Sequence, residues 1–348
     1  MSPVFMQLSS IEVLERAWQS VLTRDAHDGV LQRQSKKIIK DSDAFLVDLS
    51  ALLRSGTYEP EPLNRIDISK GAYDKTRTLS IPTIRDRVVE RAVVDTIAFG
   101  ADLVQSSCSF AYRTGIGADD AIHHVATLRD EGYQYVLRTN IEDFFPHVNL
   151  EHALEALPAS LQERDLLALV RLIAMPGRAR GRQRSRSGGV AQGSCLSPLL
   201  ANLSLTRFDH AICDAGYGYA RFADDIVVCS PRDQDILDAI DLLSDLAAAY
   251  ELTLNQDKTT MTSFDEGFCY LGVDFTKTRP ESGPHHDIKG QSDPNHVIYV
   301  GRDGARVHVT KGRLIVDGSD GLPQMSIPQR AVSRIVLTGS VGLSVGAR

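Results

Sequence analysis

Apolar residues recur at three- and four-residue intervals through 11–22 (IEVLERAWQSVL), behind a Ser9/Glu12 pair spaced as a capping box. The same period runs through 42–54 and stops before Gly56, where a left-handed C-cap belongs. Two more helices are predicted over 86–99 and 118–131, the second stopped by Gly132. The period then changes. Residues 133–139 (YQYVLRT) predict a strand, 149–175 predict helices, and Ser197-Pro198 reads as an N-cap with proline at the first position of a helix to about Cys213. Residues 217–223 and 226–229 are β-rich runs on either side of Asp224-Asp225, the layout of a hairpin with carboxylates at its tip. A helix over 233–250 and short strands follow. Strands mixed with helices in this order predict an α+β fold rather than a doubly wound sheet.

Residues 276–295 are rich in Pro, Gly and charge without apolar periodicity, which predicts a linker between a segment 1–275 and a segment 296–348. His285-His286 within it reads either as a metal ligand pair or as incidental surface. Beyond it, VIYV, ARVHVT, RLIVD and RIVLTG predict a small antiparallel β module. With 348 residues, 43% hydrophobic and 24% charged, the chain is neither disordered nor collagen-like. No run approaches the ~18 apolar residues of a membrane span, and MSPVFMQLSS lacks a signal-peptide pattern. A soluble, cytoplasmic protein without membrane contact is the expectation. The five cysteines form no C-x-x-C pair, so neither a zinc site nor a disulfide framework is predicted.

The net charge of -7 argues against indiscriminate coating of nucleic acid. Within the acidic part, however, Arg178, Arg180, Arg182, Arg184 and Arg186 stand at every second position without an intervening acid. That run reads as a solvated loop or as a phosphate-binding edge. Two adjacent aspartates between apolar strands repel each other unless a cation offsets them, so Asp224 and Asp225 read as metal ligands or as an ordinary turn.

RFADDIVV resembles the Tyr-Ala-Asp-Asp hairpin of reverse transcriptases, with Phe222 at the aromatic position. Five more segments are similar, in order, to the group II intron-like branch of that family: RTLSIPTIRDRVVERAV (fingers), SFAYRTGIGADDAI, GGVAQGSCLSPLLANLSLTRFD with Ala191 in place of a proline, LNQDKTTM and YLG. The resemblance implies right-hand polymerase fingers and palm over 1–275, behind a helical N-terminal extension. It implies Asp224 and Asp225 as ligands of two Mg²⁺ ions, with Mn²⁺ as a substitute, and Lys258 as the palm lysine that protonates pyrophosphate. Arg77, Arg85, Asp143, Phe145, Gln192 and Gly193 fall on the nucleotide side, Phe145 as the aromatic gate against a 2′-hydroxyl. Tyr270, Leu271 and Gly272 fall on the primer grip, and the arginine run is brought to template or primer phosphates. The implied partners are an RNA template, a DNA primer and dNTPs.

The motif that supplies the third carboxylate reads Asp-Ile-x-x-Phe-Phe in that family and Asn140-Ile-Glu-Asp-Phe-Phe here. An amide oxygen coordinates Mg²⁺, but one negative charge is missing. Strand alternation puts Asp143 opposite Asn140 and Glu142 one repeat, about 6.6 Å, farther along the same face.

Residues 296–348, through GRLIV, the Ile327-Pro328 pair and RIVLTG, resemble the opening β-domain of the CRISPR-associated integrase that inserts spacers, here truncated before that family's catalytic helical domain. This second resemblance implies a prokaryotic reverse transcriptase–integrase fusion serving spacer acquisition in antiviral defence, CRISPR adaptation proteins as partners, and dimerisation through the β-domain. Two alternatives stand beside it. One is a catalytically impaired palm, weakened at Asn140, that binds nucleic acid or scaffolds an adaptation complex; the other is an intron maturase or retron polymerase, disfavoured by the β segment.

Overall fold

The computed structural model describes the chain except at residues 1, 27–34, 37, 70–75, 175–188, 276–295, 301–305, 311–312, 318–322, 329–331, 338–341 and 344–348. The arginine run, the predicted linker and His285-His286 lie outside the described residues. The chain divides into two compact units, Met1–Lys277 and Thr278–Arg348.

The first unit opens with helices α1 (Pro3–Leu8) and α2 (Ile11–Asp25). Ser10, not Ser9, caps α2, its hydroxyl accepting the Val13 N–H at 3.4 Å. Ser9 is buried at the end of α1 and donates its hydroxyl to the Met6 carbonyl, a role that only the short preceding helix creates. Helix α3 (Ser42–Ser55) ends as predicted at left-handed Gly56, φ +69. Strands β1 (Asn64–Ser69) and β2 (Thr76–Ile81) pair antiparallel. Helix α4 (Ile84–Val104) exceeds the predicted 86–99 at both ends. It starts at Thr83, whose hydroxyl accepts the Asp86 N–H, and runs on through Ala101, fully buried in the core. Helix α5 (Ala118–Asp130) ends as predicted just ahead of left-handed Gly132.

After strand β3 (Tyr135–Asn140) come helices α6 (Phe144–His147), α7 (Leu150–Ala156) and α8 (Arg164–Ala174). The single helix predicted to start at Ser197-Pro198 is two, α9 (Ser197–Ser204) and α10 (Thr206–Asp214), with Ser197 inside the first turn and Leu196 ahead of it. The Ser204 hydroxyl returns to the Ala201 carbonyl, and the Leu205 N–H bonds three residues back to Asn202, which tightens and ends the first helix. Strands β4 (Gly218–Phe222) and β5 (Asp225–Ser230), helix α11 (Asp233–Ala249) and strand β6 (Thr260–Ser263) complete the central sheet, whose order is β4-β5-β3-β6 with every pair antiparallel. Strand alternation gives the sheet two apolar faces. Leu137, Tyr219, Ile226 and Val228 join the main core with the helices. Val136, Ala220, Val227 and Cys229 face α5 residues Ala121, Val125 and Leu128, together with Phe264, Tyr270 and Phe275. A last hairpin, β7 (Phe268–Tyr270) and β8 (Val273–Phe275), covers that second face.

In the second unit, β9 (His296–Val300) precedes an antiparallel meander of β10 (Arg306–Thr310), β11 (Arg313–Asp317) and β12 (Pro323–Pro328), the predicted module. Two parallel pairings add to it: β13 (Val332–Leu337) returns beside β9, and β14 (Gly342–Leu343) beside β10. Hairpins show in a sequence through their Gly and Asp turns, whereas the parallel pairing of a returning strand carries no local signal. Among the described residues no helix is long and apolar enough to cross a membrane.

Candidate active site

The hairpin between β4 and β5 closes over two residues, Ala223 and Asp224, and Asp225 is already the first residue of β5, paired across to Phe222 and on its other side to Asn140. The predicted tip of two aspartates is therefore one aspartate at the tip and one in the strand. Ala223 takes φ +59, a conformation favoured by glycine. Asn140 donates its Nδ2–H to Asp224 Oδ2 at 2.9 Å, and its neighbour Ile141 donates its N–H to the Asp224 carbonyl at 2.9 Å. Arg138, on the same strand face as Asn140, sets its Nη2 3.6 Å from Asp225 Oδ2. Burial, helped by the Asp224 charge, lifts the Asp225 carboxyl above the usual range against the pull of Arg138 and Lys258.

Lys258 is exposed at the end of a short helical turn, Gln256–Lys258, capped by the Asn255 side chain. Leu271 and Gly272 are both left-handed (φ +50 and +81) between β7 and β8, a two-residue turn of the hairpin-favouring kind, and Tyr270 is buried beneath it. Asp143 and Glu142 do not continue the strand. β3 ends at Asn140, Glu142 donates its N–H to the Thr253 carbonyl, and exposed Asp143 turns left-handed at φ +41, so strand alternation stops short of both. Of the five described non-glycine residues with positive φ, Tyr112, Asp143, Ala223 and Leu271 lie on segments around this hairpin, and the fifth, Glu251, follows α11. Such concentration of strain is a mark of functional sites.

A second group forms where the loop after residue 188 meets β2. The Ser80 N–H donates to the Gln192 carbonyl at 2.6 Å, and left-handed Gly193 (φ +114) presses so close that a Cβ there would stand 3.0 Å from the Ser80 carbonyl. Val190 donates its N–H to the Phe145 carbonyl, and Phe145 packs edge-on to Tyr112 with ring centroids 6.3 Å apart. Arg85 is engaged elsewhere. Its guanidinium donates to the Glu59 carbonyl at 2.5 Å and lies over the Tyr58 ring. Arg77 is on β2 opposite Ile68, and its side chain lies outside the described residues.

Three groups escape the sequence reading. Arg221 is fully buried and saturates its guanidinium: two bonds to Asp209 (2.7 and 2.5 Å), one each to Asn202 (2.8 Å), Ser109 (2.9 Å) and the carbonyl of strained Ala223 (3.0 Å). Tyr219 adds its hydroxyl to Asp209 at 2.7 Å. Burial opposes the charge of Arg221, and Asp209 more than offsets it. The only local signal was an arginine amid apolar residues in a strand. The second group is Arg138 beside Asp225. The third is Glu90 on α4, buried where Ser194 and Cys195 bond to it just after Gln192-Gly193.

Burial pushes the Glu90 carboxyl up to about 7, from an ordinary value of 4.5. The native state thus holds more protons than the unfolded chain between those values, and stability falls as pH rises through that window and stays low above it. The expected loss is about 3 kcal/mol. Urea midpoints at about pH 5 and pH 8 should differ accordingly in the natural chain and draw together in Glu90→Gln.

Asp224, Asp225 and the Asn140 amide are hard oxygen donors, which fits Mg²⁺ or Mn²⁺. Among the described residues no group of three or more His, Cys, Asp or Glu could hold a metal, so the pair is one carboxylate short of the expected triad.

Residues 68–275 match the family described as reverse transcriptase (RNA-dependent DNA polymerase). The chain belongs to the reverse transcriptase family. It is 26% identical over 275 residues to YkfC of Escherichia coli, covering 66% of this chain and 71% of that protein. It is also 26% identical over 188 residues to the group II intron-encoded protein LtrA of Lactococcus lactis, covering 53% of this chain and 29% of that protein. Among solved structures, a chain of a Cas6-RT-Cas1–Cas2 complex is similar at TM-score 0.42 and 17% identity, covering 97% of this chain and 37% of that one. Apo telomerase from Candida tropicalis, truncated from its C-terminal domain, is similar at TM-score 0.49 and 12% identity, covering 66% and 58%.

Proposed function

We propose that residues 1–275 act as an RNA-directed DNA polymerase, extending a DNA primer on an RNA template from dNTPs. The observation that carries this reading is the Asp224-Asp225 pair, held at a strained hairpin directly beside Asn140 in a chain of this family. Asp224 and Asp225, with the Asn140 amide oxygen turned toward them, would hold divalent Mg²⁺ or Mn²⁺, a pair of ions in the full reading. Such cations supply charge stabilisation and activation of the primer hydroxyl when bound. Gln192 and Gly193, locked to β2, offer backbone to a nucleotide, while Phe145, stiffened by Tyr112 and the Val190 contact, bounds its sugar. Lys258, whose charge reaches Asp225 alongside that of Arg138, is the candidate proton donor to the leaving pyrophosphate. Arg77, Arg85 and Asp143 remain candidates on the nucleotide side, Arg85 after release from the Glu59 carbonyl. The turn at Leu271-Gly272 and the arginines from Arg178 to Arg186 serve primer and template.

The place of this chemistry in CRISPR spacer acquisition, with adaptation proteins as partners and the β unit as a dimer contact, rests on the likeness of residues 296–348 to the integrase β-domain. A second reading is a silent palm that binds nucleic acid. It is favoured by one observation: the Asn140 amide satisfies Asp224 by hydrogen bonding, as a cation would by charge.

Primer extension on an RNA template with Mg²⁺ or Mn²⁺ tests the first reading. Asp224→Ala should cut extension by roughly a thousandfold, several kcal/mol of charge stabilisation. A natural chain that holds primer–template but extends no faster than Asp224→Ala gives way to the second reading.

A further inference from the structure

Relative to its carboxylate pair, the central sheet carries an excess of positive and donor groups. Asp224 receives the Asn140 amide at 2.9 Å, and Asp225 faces the Arg138 guanidinium at 3.6 Å with the Lys258 charge also in range. Arg138 and Asn140 are alternate residues of one strand, so a single face of β3 delivers both groups to the two aspartates. The Arg138 contact is a charge contact rather than a fork. Its Nε is buried with no hydrogen-bond partner among the described residues, and its side chain keeps 28% of its surface in solvent. A loosely held cation of this kind neutralises a carboxylate without using up its lone pairs.

We propose that Arg138 is a resident counter-cation of the Asp224-Asp225 pair, which weakens divalent-metal binding there by supplying the positive charge in advance. This rests on the reading of the aspartate pair as the cation site. A dication approaching Asp225 meets a like charge within a few ångströms of its seat, and that seat is already poor in negative charge because residue 140 is an amide. Asn140 and Arg138 thus act in the same direction, one by removing an anion and the other by adding a cation.

The test is Mn²⁺ titration of the full chain, read by the loss of the free-ion electron paramagnetic resonance signal. It is run in the natural sequence and again in Asn140→Asp, where the third carboxylate should tighten binding. Arg138→Gln should tighten Mn²⁺ binding roughly tenfold in both backgrounds, the scale of one like charge near a screened, half-exposed site. Arg138→Lys, which keeps the charge, should stay near its parent and so separates charge from packing. Arg138→Gln within twofold of its parent, while Asp224→Ala abolishes binding, overturns the counter-cation and leaves the site reading intact. Unchanged Mn²⁺ binding in Asp224→Ala instead overturns the site reading itself.

Discussion

Asn140→Asp is expected to raise primer extension by roughly a hundredfold, the scale of one preorganised electrostatic contact. Asn140 is paired directly with Asp225 and its amide nitrogen bonds Asp224, so a carboxylate at 140 lands against both aspartates without any backbone change. In the natural chain the amide serves as donor, and its oxygen must turn inward before it can meet a cation. That rotation breaks a bond to Asp224 which no other described group replaces. An aspartate has no such donor to surrender. It also brings three carboxylates together, which repel one another in a chelator, so the variant should melt lower than the natural chain in EDTA and recover with Mn²⁺. Single-turnover extension rates and melting curves with and without Mn²⁺ check the two halves independently. Faster extension without metal-dependent stability would separate the rate effect from cation binding. Stability without extension would mean that the palm lacks something besides a carboxylate.

The signals that made the fold legible were local ones. Gly56 and Gly132 marked helix ends because only glycine takes their left-handed conformation cheaply, and the period-two runs on either side of Asp224 marked a hairpin. Boundaries failed where a neighbour decided them. Ser9 was drawn to α1, a helix too short to show a period, and the helix from Ser197 broke at Leu205 through side-chain bonds of Ser204. The aspartate pair and Asn140 could be found because they are adjacent to recognisable strands. Asp143 was misplaced because alternation was carried past the end of β3, where the chain turns at φ +41. Arg221 could not be found at all, because its partners Asp209, Asn202 and Ser109 are separated from it by up to 112 residues and meet only in the folded core. Arg138 was invisible for a related reason: its meaning depends on Asp225 across a strand pair, not on its own neighbours.

Arg221→Met should destabilise the first unit by about 3–5 kcal/mol, because it strands a buried carboxylate. Asp209 is fully buried and takes two bonds from the guanidinium, so truncation leaves it with the Tyr219 hydroxyl as its remaining side-chain donor. The same truncation frees the Ala223 carbonyl at the hairpin tip, where backbone strain is held in place by that bond. A chemical-denaturation midpoint lowered at unchanged slope is the expected result. Tyr219→Phe, which removes one neutral-to-charged bond and leaves the ion pair, should cost only about 1–2 kcal/mol. Asp209→Asn in the Arg221→Met background removes the stranded charge, so it should restore part of the lost stability, and the cycle of single and double variants isolates the pair from its surroundings. If Asp209→Asn further weakens Arg221→Met, the burden lies in lost packing rather than in an unpaired charge. If it restores stability but not Mn²⁺ binding, the role of Arg221 extends past the core: the guanidinium then sets the angle at which Asp224 is presented, through the Ala223 carbonyl that it grips from within the sheet.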